Sequence, residues 1–294
     1  MTAAVPQDSW HVVRTALRGA DERFRAMLVA APDAGAPATA QWSIAESAAH
    51  VLSIAQLYVF LLEEGAEPLP VPGIEGILST TNVDTVADVN DYVLRYFTER
   101  DAAVLAERLG TAVGRILAAT EHTDPRTPVR WLGDSLVPVA GVLAHLVNEL
   151  LVHGWDIARA LRVPWPMPDE HAALYWELFF LGMLRLEYGA LLNMSLKMPR
   201  RPTAVQFRSA FTTTETIVLG DGRVWIAPPG HPHDVRVWFR PARFNLLLFG
   251  RIGTAHAAVR RDVVVGGPRP WRLPGFLRVV HMPNGRLAPP RTGS

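Results

Sequence analysis

Near residue 198 the hydrophobic period of this chain changes, and neither a bundle nor a sheet alone can satisfy both sides of the change. Through "DSWHVVRTALRGADERFRAMLVA", "WSIAESAAHVLSIAQLYVFLLEEG" and "PVAGVLAHLVNELLVHGWDIARA" apolar residues recur at helical spacing. Beyond "KMPRRP" they come in short β-branched runs, "AVQFRSAF", "TTTETIVLG", "GRVWIAPP", "DVRVWFR" and "DVVVGG", punctuated by "GDG" and "PPG". Charge changes at the same place. Residues 1–198 hold 14 Lys/Arg against 24 Asp/Glu, whereas residues 199–294 hold 15 against 4. The reading is an α+β chain of two domains, a helical one over 1–198 and a small α+β one over 199–294.

Five helices are expected in the first part. The first covers residues 8–30. Ser43 with Glu46 three residues on is a capping box, which starts a second helix running to about residue 64. A third is expected from Thr85, with Asp88 as a second capping box, to near Thr120. A fourth spans 139–161, and a fifth runs from Asp169 to about residue 192. Four antiparallel helices with one extra make a bundle. In the second part, helical pieces at "PARFNLLLFGRI" and "RPWRLPGFLRVV" interrupt strands that are expected to form a small antiparallel sheet.

Several function classes recede on composition. Hydrophobic residues at 49% with 19% charged suit a soluble globular protein. The N-terminus lacks the apolar core of a signal peptide, and the uncharged run "SLVPVAGVLAHLVN" is short of the roughly 20 residues of a membrane span. A cytoplasmic protein with no membrane partner is expected. The C-terminal arginines are scattered rather than clustered, which argues against nucleic acid. Cysteine is absent, so the chain has no disulfide and no thiol of its own.

Chemistry concentrates in "NELLVHGWDIARA". Glu149 and His153 stand four residues apart, so on a helix their Cβ atoms lie about 5–6 Å from each other and face one way. Such a pair can offer one oxygen and one nitrogen to a shared cation, and zinc accepts that donor set. A third ligand must come from another helix. His50, two turns inside the second helix, is the best candidate, while His145, four residues before Glu149, is a rival ligand or a packing residue. Two histidines and a carboxylate would leave an open position, the mark of a catalytic site. Asp156, three residues after His153, either receives a ring N–H from a ligating histidine or pairs with Arg159 at the surface. Trp42 and Trp155 read as core and rim packing, and His231 and His233 in "PPGHPHD" as a solvent-exposed loop pair.

The segments "QWSIAESAAHVL" and "AHLVNELLVHGWDIARA" together resemble the mycothiol-dependent maleylpyruvate isomerase family, one of the DinB-like metal-binding bundles. That family carries W-[ST]-x3-[DE]-x3-H followed by E-x3-H-x2-D, and both patterns are present. "FNLLLFGRIGTAHAAVRRDVVVGG" is similar to the sterol-carrier-protein-like domain that closes many members. The resemblance implies His50, Glu149 and His153 as ligands of a divalent metal, by habit of the donor set zinc, and mycothiol as co-substrate. A single lysine against 28 arginines fits an actinobacterial source, where that thiol occurs.

The implied activity is attack of a metal-activated thiolate on a small electrophile, giving either cis–trans isomerisation or an S-conjugate. The resemblance also implies that an arginine of the C-terminal part reaches the site. Arg208, Arg223, Arg240 and Arg251 are candidates, and the alternative is that they only meet the acidic bundle across the interface. A non-catalytic module, with metal in the bundle and an apolar ligand in the second domain, is the competing reading. The protein is expected to be a monomer or a homodimer.

Overall fold

A computed structural model describes residues 7–192 and 201–282. Helix α1 (Gln7–Val29) and helix α2 (Ile44–Leu62) are the first two bundle members. The capping box at the start of α2 forms as expected: the Glu46 N–H donates to Ser43 Oγ at 3.1 Å, and the Ser43 N–H donates to Glu46 Oε2 at 2.8 Å. By length and composition α2 could cross a membrane, but 72% of its apolar window is buried inside the fold, where it serves as a core helix. A short α3 (Ile74–Thr80) follows, ahead of the point where the third helix was expected to start.

The single helix expected from Thr85 to near Thr120 is instead two, α4 (Val86–Leu94) and α5 (Ala102–Ala119). Asp101 is the reason. Its backbone is extended and its carboxylate accepts the N–H groups of Ala103 and Val104 at 2.9 and 3.0 Å, which starts a new helix. The second capping box is absent, because Thr85 Oγ1 takes the Asn82 N–H rather than an N–H of its own helix. Strands β1 (Pro128–Arg130) and β2 (Leu136–Pro138) form a small hairpin before α6 (Val139–Leu161).

The bundle is α1, α2, α5 and α6, with α1 and α2 each packed on both α5 and α6. A second helical run crosses the end of α6: α7 (Asp169–Leu174), a π-helical turn over Tyr175–Phe180, and α8 (Leu181–Leu186). It stops at Leu186, short of residue 192, because the next residue, Glu187, pairs with Leu136 beside the hairpin. Gly141 on α6 allows this layer to close in: a Cβ there would stand 2.6 Å from the Leu178 carbonyl oxygen.

The C-terminal sheet holds β3 (Thr203–Arg208), β4 (Glu215–Gly220), β5 (Arg223–Ile226), β6 (Val235–Phe239) and β7 (Val263–Gly266), in the order β5-β4-β3-β6-β7. The sheet is mixed rather than antiparallel. Between β5 and β6 the chain crosses to the far side of β3, so β6 runs parallel to β3 while the other pairs are antiparallel. The "GDG" signal is a two-residue hairpin, with Asp221 and Gly222 at φ 50° and 72°.

Helices α9 (Pro241–Leu248), α10 (Thr254–Val259) and α11 (Leu273–Leu277) complete this part. The domain boundary placed near residue 198 lies outside the described residues. On either side of it the apolar core is continuous: Trp176 of the π-turn packs on Phe207 of β3 and Phe244 of α9, at 4.6 and 5.8 Å between ring centroids. Two buried amides pin the same interface, Asn245 Nδ2 donating to Asn148 Oδ1 at 2.9 Å.

Candidate metal centre

Helices α2 and α6 run antiparallel along one wall of a cavity, with His50 beside His153 and, two turns further along, Tyr58 beside His145. The capping box sets where α2 begins and therefore where His50 falls. Glu149 and His153 are successive on one face of α6. His50 Nε2 stands 3.5 Å from Glu149 Oε2, and His153 Nε2 stands 3.3 Å from the same oxygen. One ligand atom from each residue lies within 4.8 Å of the others, and all three side chains are buried. Three donors arranged tetrahedrally on one ion, at bonds of about 2.0–2.2 Å, stand roughly 3.4 Å apart, so the donor set and its spacing fit a small divalent cation.

His145 extends the same stripe. Its Nε2 is 3.6 Å from Glu149 Oε1, and its Nδ1 shares a 2.9 Å hydrogen bond with the Tyr58 hydroxyl. It stands outside the three-residue cluster.

Buried charges here are held by one another. Burial favours the neutral carboxyl of Glu149, but hydrogen bonding from His153 and His50 and the nearby His145 outweigh it and hold Glu149 well below the usual carboxylate range. Burial pushes the His50 imidazole down. Burial would lower His153 too, yet Asp156 and Glu149 on its two sides bring it above its ordinary value.

Asp156 faces inward, toward the cluster. Its Oδ2 is 3.4 Å from His153 Nδ1, at the outer edge of hydrogen-bonding distance, and that nitrogen has no nearer partner among the described residues. Arg159 does not take Asp156; its guanidinium lies over the Trp155 ring at 5.1 Å. Asp156 is instead gripped by Arg251, from the turn after α9, with Nη2 at 2.7 Å and Nε at 3.1 Å from Oδ2. The remaining Arg251 nitrogen, Nη1, donates to the Phe249 carbonyl at 2.7 Å.

Of the four candidate arginines only Arg251 lines the cavity. Arg240 pairs with Asp169 across the interface at 3.3 Å, Arg223 lies over Trp225, and Arg208 is exposed. Arg251 thus reaches the cavity wall and Arg240 meets the helical part across the interface. His231 sits in an exposed loop bonded to its own neighbour, Pro232 O.

Trp42 packs on the core, as expected, at a place beside the cluster. Its ring lies 4.7 Å from that of His50 and 5.9 Å from that of His153, and its Nε1 reaches Asp91 Oδ1 at 3.4 Å. The signal was its place immediately before the Ser43 cap, from which an aromatic ring can fold back along the helix. The π-helical turn, also unforeseen, brings Tyr175 and Phe179 together onto the cavity wall, stacked at 5.1 Å. Behind the cluster, Gly154 leaves room for the Trp165 indole, whose Nε1 donates to the Leu151 carbonyl at 2.9 Å.

Comparison with known proteins gives three findings. No curated protein matches the chain. Two solved structures, a crystal structure of the mycothiol-dependent maleylpyruvate isomerase and one of a mutant of it, are each 13% identical; each alignment covers 87% of this chain and 92% of that one, with a TM-score of 0.47. The profile of the mycothiol maleylpyruvate isomerase N-terminal domain matches residues 13–158, a span that includes His50, Glu149, His153 and Asp156. Through residues 13–158 the chain belongs to the mycothiol maleylpyruvate isomerase N-terminal domain family.

Proposed function

We propose that this chain is a metal-dependent enzyme that uses mycothiol as the attacking thiol on an electrophilic small molecule, with His50, Glu149 and His153 as metal ligands. The observation that carries the reading is the convergence of those three buried donors on the wall of a cavity of about 1310 Å³. Membership of the family supports the choice of thiol. A divalent ion held there, by donor preference zinc, supplies the positive charge that keeps a thiol ionised near neutral pH, where a free thiol with a pKa of about 8.5 is mostly protonated.

The chain's own residues do the rest. Asp156, 3.4 Å from His153 Nδ1, is the carboxylate placed to take that ring N–H and leave Nε2 directed at the cluster. Arg251 neutralises and orients Asp156 from the C-terminal part. Trp42 shields one side of the two imidazoles from water. The protein has no cysteine, so the sulfur must come from the co-substrate.

Two outcomes are open to such a thiolate. It can add to a conjugated C=C, let the resulting single bond turn, and leave as the double bond re-forms. Alternatively it stays bound, with a proton or a departing group balancing the new C–S bond. We take the division into residues 1–198 and 199–294 as part of the same proposal, the second part delivering Arg251.

The test is thiol consumption and cis–trans isomerisation over a panel of electrophiles, with and without chelator. Metal-dependent turnover of either kind supports the reading. Undiminished turnover after complete metal removal contradicts it, and absence of all turnover favours a non-catalytic ligand-binding module.

A further inference from the structure

The three candidate ligands line part of a cavity that continues along apolar side chains of α2 and α3. Its volume of about 1310 Å³ exceeds the roughly 300–1,000 Å³ typical of a pocket for one drug-sized ligand, so two molecules fit. Away from the cluster its walls are Ile54 and Leu57 of α2, Ile74 and Leu78 of α3, Phe179 of the π-turn and Met183 of α8. Ile54, Leu57 and Leu78 are half-buried, as expected of side chains that face an internal space.

Charge is confined to two places. Asp84, Asp88, Asp91, Arg159 and Arg278 line the cavity but are exposed, so they belong to its rim, where acids outnumber arginines. Inside, among the described residues, Arg251 is the one lining arginine, and its charge is already matched by the Asp156 carboxylate it grips at 2.7 Å, while Nη1 donates to the Phe249 carbonyl. A carboxylate moving along the α2–α3 wall would lose its water and find no cationic partner among the described residues there, which is costly. An uncharged apolar body would gain from the same wall.

We infer that the electrophile taken at this site is a neutral, hydrophobic conjugated carbonyl compound, seated against Ile54, Leu57 and Leu78, and not the small dicarboxylic acid after which the family is named. The inference rests on the thiol-activation reading and specifies its second substrate. In the addition the S–C bond forms at the β-carbon, and the electron pair of the C=C moves to the α-carbon. The α-carbon takes up the proton that the thiol gave up; nothing is oxidised or reduced.

The experiment uses the metal-loaded full chain, mycothiol, and two electrophiles, benzylideneacetone and maleate, each rate divided by its uncatalysed rate with the same thiol. The expected result is a preference of at least about tenfold for the neutral enone. In Leu57→Arg, which places a cation on the apolar wall, the preference narrows or reverses, with melting temperature and metal stoichiometry as wild type. If that variant does not fold, Leu57→Gln serves, and its enone rate falls more than its maleate rate. A preference for maleate in the wild type, or an unaltered ratio in a folded Leu57 variant, overturns the inference. If neither electrophile consumes thiol, thiol activation itself fails; displacement of the neutral dye Nile red by the enone but not by maleate then still supports the apolar selectivity, and no displacement overturns it.

Discussion

Helices α2 and α6 and the C-terminal part reach the same cavity by different physics. On the two helices the site is local: a capping box fixes where α2 starts, a four-residue spacing aligns Glu149 with His153, and antiparallel packing brings in His50. The C-terminal part instead sends one side chain, Arg251, from a turn 95 residues away in sequence from the Asp156 it grips. The first contribution is written in spacing. The second exists only once α9 has docked on α6 through Asn245 and Asn148. A candidate ligand set built from short-range periodicity thus meets a side chain from a region whose own local pattern does not single that residue out.

The largest effect should come from the helices. Glu149→Ala or His50→Ala should abolish stoichiometric metal binding and lower thiol turnover about a thousandfold or more, since the charge stabilising the sulfur is lost. Metal analysis of the purified variants, beside their circular dichroism, checks this.

Disturbing the partner region should do less. Arg251→Ala leaves Asp156 buried without its counter-charge, and Asp156→Asn removes the acceptor facing His153. Each should weaken metal affinity about 10–100-fold, the usual cost of removing a group that orients a metal-binding histidine. Competition against a chelating dye would measure it. An unchanged affinity in Arg251→Ala would confine the C-terminal part to covering the cavity.

Packing behind the ligands is the next test. Gly154→Ala puts a methyl group where the Trp165 indole lies. Overpacking of this kind costs about 1–3 kcal/mol, read as a lower denaturant midpoint, with metal affinity falling because His153 is the adjacent residue.

The smallest effect belongs to the sheet region. Burial acts to raise Asp234, but hydrogen bonds from Arg269, the Ala204 N–H and Arg272 outweigh it and lower its pKa from 3.8. A depressed carboxylate adds stability above its unfolded-state pKa and loses it as pH falls through the folded one. The difference in melting temperature between wild type and Asp234→Asn should therefore be present at neutral pH and shrink below about pH 4.

What could be read in advance follows the same division. The bounds of α6, the start of α2 and the candidate ligands were legible because helical period and capping are short-range. The break between α4 and α5 was not, because Asp101 sits in a polar stretch, "RYFTERD", whose composition suits a helix surface as well as a cap. The direction of β6 was not, since a strand's own residues do not reveal whether its partner runs with it or against it. Asp156 stood between two roles until Arg251 was seen, because a carboxylate on a helix can turn either to its neighbour or to a distant chain segment.

Isothermal titration of the metal-free full chain with zinc, wild type against Glu149→Ala, tests the shared donor set most directly. Wild type should take up one tightly bound ion per chain and the variant none at the same concentrations. Equal stoichiometry and affinity in a folded Glu149→Ala would mean that these three side chains do not hold a common ion, and the account would have to be abandoned.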